Sequence, residues 1–126
     1  MVRILEIEKY AAYNNIPIME SDGIEFLTNY IKENNVKNIL EIGTAIGYSA
    51  IKMALVEDDI YITTIERDES RYNEAIKNIK DMKLEYIIKL KNSECTCFLQ
   101  YNNKILCGYG DTSGCSCWSM GIATYK

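Results

Sequence analysis

Two glycines that follow a β-type segment constrain the fold of this chain more than any other sequence feature. Gly43 and Gly47 lie four residues apart, directly after segment 36–42, in which Val, Ile and Leu predominate. Glycine lacks a Cβ atom, so its backbone can turn in the left-handed region and approach another molecule closely. A buried strand, then a glycine loop, then a helix is typical of a βα unit in a parallel sheet.

The rest of the first 91 residues continues this alternation. Apolar stripes at helical spacing predict four helices: one that ends before Asn14, one from a cap at residue 21 or 22 to Asn34, one over 48–55, and one from a cap at residue 68 to about 82. Apolar runs predict strands over 36–42, 60–65 and 86–90. Ser21 or Asp22 is predicted to cap the second helix, whose apolar face includes Phe26, and Asp68 is predicted to cap the fourth. The order predicts an α/β fold with parallel strands and right-handed crossovers.

Composition excludes several kinds of chemistry. The 126 residues are enough for one domain, and none of them is histidine, which excludes Ser-His-Asp and Cys-His catalysis and histidine metal sites. A net charge of −4 gives no basic field for nucleic acid. The apolar runs are too short for a membrane span, and nothing resembles a signal peptide, so we expect a cytoplasmic location.

An acidic residue ends the second predicted strand. Glu66 follows Gly47 by nineteen residues, and an acid at this place accepts hydrogen bonds from ribose hydroxyls in nucleoside-binding folds. The alternative is a tight turn beside a surface carboxylate. Because loop, helix and acid each fall on the appropriate element, the pattern favours a nucleoside site. The spacing is neither G-x-G-x-x-G nor G-x-x-x-x-G-K, which counts against a dinucleotide and excludes a P-loop.

Three segments carry a resemblance to a known family: I-P-I-M-E-S-D-G-I-E-F-L, I-L-E-I-G-T-A-I-G-Y-S-A-I-K-M-A and I-T-T-I-E-R-D. They resemble class I S-adenosylmethionine-dependent methyltransferases, and more narrowly the cation-dependent O-methyltransferases of the catechol and caffeoyl-CoA type. Bacterial members include small-molecule enzymes and a tRNA hydroxyuridine methyltransferase. The resemblance covers roughly residues 5–90 and implies a Rossmann-like sheet, incomplete here, with about three to four of seven strands.

By position, the resemblance also implies a set of cofactor contacts. Glu41 and loop 43–47 would wrap the methionine moiety of S-adenosylmethionine, Ser49 would bond its carboxylate, and Glu66 would hold its ribose. Met19 would lie near the methionine end, although plain core packing explains this residue equally well. The full implied set is Met19, Glu41, Gly43, Thr44, Ala45, Gly47, Tyr48, Ser49, Glu66 and Glu94.

The family pattern decays after residue 92. Glu94 stands where the family has an aspartate near the adenine, and Asp111 falls in the place of a metal-binding aspartate. The family's later metal ligands have no counterpart. All five cysteines lie between residues 95 and 117, and their two C-x-C pairs leave a zinc site open as an alternative. We therefore expect residues 1–91 to form a cofactor-binding half domain and 92–126 a divergent, cysteine-rich tail, frameshifted, misjoined or decayed.

The function that the resemblance implies is S-adenosylmethionine-dependent O-methylation, with this chain supplying the cofactor-binding portion. In intact relatives a divalent cation such as Mg²⁺ would hold the acceptor hydroxyl of a small molecule or tRNA nucleoside. The alternative is a non-catalytic nucleoside-binding or self-associating fragment. Self-association is expected because the candidate fourth strand, 105–110, is interrupted by Gly108 and could leave the first strand as an unpaired edge.

Overall fold

A four-stranded sheet with helices packed against it forms the described part of the chain, residues 2–92 and 121–125 of a computed structural model. The helices are α1 (Val2–Tyr13), α2 (Ser21–Glu33), α3 (Tyr48–Ala54) and α4 (Glu69–Asp81). The strands are β1 (Asn38–Ile42), β2 (Tyr61–Ile65), β3 (Ile88–Lys91) and β4 (Gly121–Tyr125). The predicted alternation over the first 91 residues is confirmed, with strand ends displaced by one or two residues.

The sheet has the strand order β3-β2-β1-β4. β1, β2 and β3 are parallel, as predicted. The candidate fourth strand, 105–110, lies outside the described residues. β1 instead pairs with β4, which runs antiparallel and was not predicted. β1 therefore has a hydrogen-bonded neighbour on both sides, and the unpaired edge expected from the sequence is not present along this strand.

Isoleucines from three strands form the centre of the core. Ile39, Ile62 and Ile88 are register partners across β1, β2 and β3, and each is at least 97% buried. β-branched side chains suit this pleated, buried surface. The helices cover the same face, and Ile122 of β4 packs against its edge. The centre of this core lies at Ile39, three residues before the carboxyl end of β1, after which the glycine loop begins.

The apolar face of α2 is narrower than the sequence suggested. Ile24 and Ile31 are buried, but Phe26 is 73% exposed and stacks on Tyr30 at a ring-centroid distance of 6.5 Å. The prediction that Phe26 faces inward is wrong. Two residues advance a helix by about 200°, so a side chain two positions after a buried one points away from the core.

The two predicted caps differ in outcome. Asp68 is the N-cap of α4, and its Oδ1 accepts a hydrogen bond of 2.9 Å from the backbone N–H of Arg71. At α2 the prediction was wrong, because Ser21 is already the first helical residue. The extended residue before it, Glu20, is the N-cap and makes no side-chain capping bond.

Asp68→Ala is expected to lower the free energy of unfolding by about 0.5–2 kcal/mol, because the first turn of α4 loses its side-chain acceptor. Urea unfolding followed by circular dichroism measures this loss. Asp68→Asn keeps a capping oxygen and is the matched control, expected to lose less than half as much. Equal losses for the two variants would contradict a capping role.

No helix in the described ranges is long and apolar enough to cross a membrane. The longest have 13 residues, or roughly 20 Å of rise, against a hydrocarbon layer of about 30 Å.

Candidate nucleoside-binding site at the glycine loop

The loop between β1 and α3 is built on three left-handed residues. Gly43 and Gly47 have φ angles of 93° and 92°, and Ala45, between them, has a φ of 51°. Glycine takes this region without the steric cost that a side chain adds. A Cβ at Gly47 would meet Ala75 of α4 at 3.6 Å, an ordinary contact. Gly47 is therefore required by its backbone angle rather than by lack of space.

Hydrogen bonds to the end of β2 hold this loop in place. The backbone N–H groups of Gly43 and Thr44 donate to the carbonyl of Ile65 at 2.8 and 3.1 Å. The N–H of Gly47 donates to the carbonyl of Thr44 at 3.0 Å. These N–H groups are thus used within the protein. What the loop offers is a fixed backbone with little side-chain bulk.

Glu66 lies directly beside the loop at the end of β2. Its Oε1 accepts the N–H of Ala45 at 2.7 Å and its Oε2 accepts the N–H of Asp68 at 2.9 Å, while the residue keeps only 6% of its exposure. The side-chain amide of Asn92 also donates to the Glu66 carbonyl at 2.9 Å. A carboxylate has about four lone-pair positions, so two remain for the hydroxyls of a ligand.

A buried carboxylate lies beneath the same loop. Glu41 of β1 is 1% exposed, and its two oxygens accept hydrogen bonds from the hydroxyls of Ser49 and Thr64, the latter at 2.7 Å. The hydroxyl of Thr64 in turn lies 2.6 Å from that of Thr44. The network joins β1, β2, the loop and the first turn of α3. The structure therefore brings Glu41, Thr44 and Ser49 together through hydrogen bonds, and their contact with a cofactor stays a prediction.

Burial dominates the ionisation of Glu41. Loss of solvent raises its pKa to about 7, against the lowering effect of the Ser49 and Thr64 hydroxyls, and the nearby Glu66 carboxylate raises it further. The ordinary pKa of a glutamate is 4.5. Because the folded-state pKa is the higher one, the stability from this group is fully present below about pH 4.5. It is lost as the pH rises through about 7.

Asn78 of α4 supports the loop from behind, and sequence reasoning missed it. It is 1% exposed, its Nδ2 donates to the carbonyl of Ile46 at 2.8 Å, and its Oδ1 accepts from the Arg3 guanidinium. The signal in the sequence was a polar residue next to Ile79 on the inward side of α4. An amide there satisfies a loop carbonyl that would otherwise be buried without a donor.

Met19 and Tyr48 border a small cavity above the loop. The connector between α1 and α2, at residues 17–19, encloses about 10 Å³ together with Gly43, Ser49 and their neighbours. That volume is about one water molecule, so a larger ligand requires the connector to move. The hydroxyl of Tyr48 also donates to the carboxylate of Glu8 on α1 at 2.6 Å. The pKa of Tyr48 is raised to about 12, mainly by loss of solvent and in addition by the Glu8 carboxylate.

A second, larger groove lies away from the loop. It has a volume of about 730 Å³ between α1, α2 and α3. Its lining mixes apolar side chains such as Leu5, Ile24 and Leu55 with the charged side chains of Glu8, Glu25 and Lys52. It includes none of the loop residues 43–47 and not Glu66. Size favours this groove, but convergent polar groups favour the loop, and the second criterion better marks a nucleoside site.

The remaining predicted site residues, Glu94 and Asp111, lie outside the described residues, as do the five cysteines. Within residues 2–92 and 121–125, no three His, Cys, Asp or Glu side chains gather as a metal-binding set. The described part of the chain thus gives no support to a divalent cation.

Comparison with known proteins identifies relatives that match most of this chain. The profile of an O-methyltransferase family matches residues 2–106, beyond the domain boundary expected at residue 91. The curated caffeoyl-CoA O-methyltransferase of Populus kitakamiensis is 30% identical over 101 residues, which is 79% of this chain and 41% of the relative. The chain therefore spans about 40% of the length of the curated relatives that it matches.

Solved structures agree with these sequence matches. A Staphylococcus aureus protein named provisionally as a caffeoyl-CoA O-methyltransferase is 37% identical, with a TM-score of 0.73 over 80% of this chain and 49% of that one. An O-methyltransferase from Bacillus cereus, solved in complex with S-adenosylhomocysteine (SAH), is 25% identical, with a TM-score of 0.69 over 82% and 49%. The parallel three-strand unit and its helices thus recur in methyltransferases.

Proposed function

The chain belongs to an O-methyltransferase family, and we propose from this that it binds S-adenosylmethionine at the glycine loop, as the cofactor-binding part of an O-methyltransferase. The observation that carries the proposal is the position of Glu66. Its carboxylate is held against the loop by two backbone N–H groups and keeps acceptor capacity for two hydroxyls. A ribose has such a pair of hydroxyls, and in nucleoside-binding α/β folds it binds beyond the carboxyl ends of the parallel strands.

The other residues of the site fit the remaining parts of this cofactor. Gly43 and Gly47 leave room for close approach to the backbone, and Ser49 at the start of α3 borders the small cavity beside Met19. We assign this end of the loop to the methionine moiety. Glu41 lies beneath it as a buried carboxylate. When bound, S-adenosylmethionine supplies an electrophilic methyl group for transfer to a hydroxyl oxygen.

The acceptor and the activating group are further proposals. The names of the relatives point to a small-molecule hydroxyl, such as that of caffeoyl-CoA, and a tRNA nucleoside is the other class implied by the resemblance. A divalent cation with Asp111 as a ligand remains a prediction outside the described residues. The boundary at residue 91, the cytoplasmic location and self-association also remain predictions. Pairing of β1 with β4 removes the main reason for self-association.

A second candidate is nucleoside binding without methyl transfer. It is favoured by one observation: the polar groups that converge in residues 2–92 and 121–125, such as Glu41, Ser49 and Glu66, all lie at the site proposed for the cofactor. Methyl transfer from labelled S-adenosylmethionine to a catechol or an RNA pool, with and without Mg²⁺, separates the two candidates.

SAH is expected to bind the 126-residue chain with one-to-one stoichiometry and to stabilise it. At a ligand concentration one hundred times Kd, stabilisation is about 2.7 kcal/mol, which corresponds to a rise in Tm on the order of 10 °C for a domain of this size. Isothermal calorimetry and a thermal scan measure both quantities. Homocysteine, which lacks the nucleoside, is the matched control ligand. An unchanged Tm at millimolar SAH would remove the proposed function.

A further inference from the structure

The hydroxyl of Ser49 has one hydrogen, which it donates in a hydrogen bond to Glu41. Ser49 Oγ donates to Glu41 Oε2, and Thr64 Oγ1 donates to Oε1 at 2.7 Å. A hydroxyl has a single donor hydrogen, whereas an ionised carboxylate only accepts. While Glu41 is ionised, Ser49 can therefore accept a hydrogen bond from a ligand but cannot donate one.

Binding of the cofactor at Ser49 requires the opposite direction. The amino-acid end of S-adenosylmethionine or SAH carries a carboxylate, which is also an acceptor at neutral pH. The two carboxylates then compete for one hydrogen. If the ligand takes it, an ionised Glu41 loses one of its two hydroxyl donors at a position that is 1% exposed, which is costly for a buried charge.

We propose that Glu41 is a positioning residue that takes up one proton from solvent when the ligand carboxylate binds at Ser49. The proton is released by the buffer and bonds to Glu41 Oε2. The new O–H donates to Ser49 Oγ, which frees the Ser49 hydrogen for the ligand, and Thr64 continues to donate to Oε1. This inference rests on the proposed function and adds to it a dependence of cofactor affinity on pH.

The surroundings of Glu41 favour such an uptake. Its register partners are Thr64 on β2 and Ile122 on β4, α3 contributes the neutral Ser49, and the charged group that faces it is the carboxylate of Glu66. With a pKa of about 7, protonated and ionised forms of Glu41 have nearly equal free energy at neutral pH. One redirected hydrogen bond is enough to shift that balance.

The sign of the effect follows from which form binds. At pH 5.5 Glu41 already holds the proton, so SAH binding takes up almost none. At pH 8.5 Glu41 is ionised, binding takes up close to one proton, and affinity falls about tenfold per pH unit. Calorimetric titration of the full chain with SAH, in phosphate and in Tris at both pH values, gives the number of protons from the dependence of the binding heat on the ionisation enthalpy of the buffer.

Glu41→Gln is the matched variant, because its amide N–H donates permanently to Ser49 and cannot titrate. The α-amino group of SAH is the same in both titrations, so the difference in proton uptake isolates Glu41. We expect a difference close to one proton at pH 8.5 and near zero at pH 5.5. A readout without any substitution is the ¹³C shift of the Glu41 carboxyl. Its pKa is expected to rise by at least about 2.5 units when SAH binds, because uptake of nearly one proton at pH 8.5 requires a shift of that size.

Equal proton uptake by the two proteins, or a Glu41 carboxyl pKa that SAH leaves unchanged, would overturn this inference. The proposed function would then still stand, because SAH binding is measured in the same titration. No binding of SAH at either pH would overturn both.

Discussion

Replacement of Glu66 with alanine is expected to weaken SAH binding roughly 10- to 200-fold. The carboxylate is the group proposed to hold the ribose, and a hydrogen bond to a charged group contributes about 1.5–3 kcal/mol. The same substitution removes the acceptor for the N–H groups of Ala45 and Asp68, so the loop loses one of its hydrogen bonds to the end of β2 as well, while those to the Ile65 carbonyl remain. Calorimetry on wild type and variant measures the change in Kd.

Two further variants separate ribose binding from loop support. Glu66→Gln keeps an oxygen for the N–H of Ala45 but loses the charge, so we expect an intermediate loss of affinity. Glu57→Ala removes an exposed carboxylate away from the loop and is the matched control, expected to change Kd less than twofold. If wild type and Glu66→Ala bind SAH equally well, Glu66 is not part of the site.

Ile62→Ala is expected to lower the free energy of unfolding by about 2–5 kcal/mol. Ile62 is 1% exposed and lies between Ile39 and Ile88 in the row of isoleucines across three strands. Truncation leaves a cavity that these neighbours cannot fill without moving the strands. Total stabilities of domains are about 5–15 kcal/mol, so the variant is expected to be close to unfolding. Urea unfolding followed by circular dichroism gives the loss.

Thr63→Ala is the control on the same strand, with a side chain on the opposite face of the sheet. Thr63 is only half-buried, and adjacent residues of a strand point to opposite faces of the sheet. Its loss is expected to stay below about 1 kcal/mol, the span of strand propensities. A loss for Ile62→Ala as small as that for Thr63→Ala would contradict the packing described for the core.

Short-range patterns were sufficient for the order of elements and the place of the loop. The apolar stripe of α1 repeats every one or two helical turns, and the cap of α4 involves residues only three positions apart. Both can therefore be detected from neighbouring residues alone. The glycines are similar, because a left-handed backbone at Gly43 and Gly47 is required by the turn itself. Phe26 shows where this reasoning fails, because an apolar residue in a helix is not necessarily on its buried side.

The partners of β1 could be predicted on one side only. Its parallel neighbour β2 follows through a helix, and such crossovers have a regular length and hand. Its antiparallel neighbour β4 begins 79 positions after the end of β1 in the printed numbering, and no local pattern in residues 121–125 predicts that pairing. Strand pairing over such a distance depends on which edge remains open once the nearer strands have docked.

Sequence alone determined the fold class, the glycine loop and the acid at the end of β2, because each depends on residue type at short spacing. Only the tertiary structure decided which hydrogen-bond donors are free. It placed Ser49 against Glu41, Ala45 against Glu66 and Asn78 behind the carbonyl of Ile46. These pairs join residues 8, 21 and 32 positions apart. The physical reason is that a hydroxyl or amide has few hydrogens, and packing alone brings near the acceptor that takes each one.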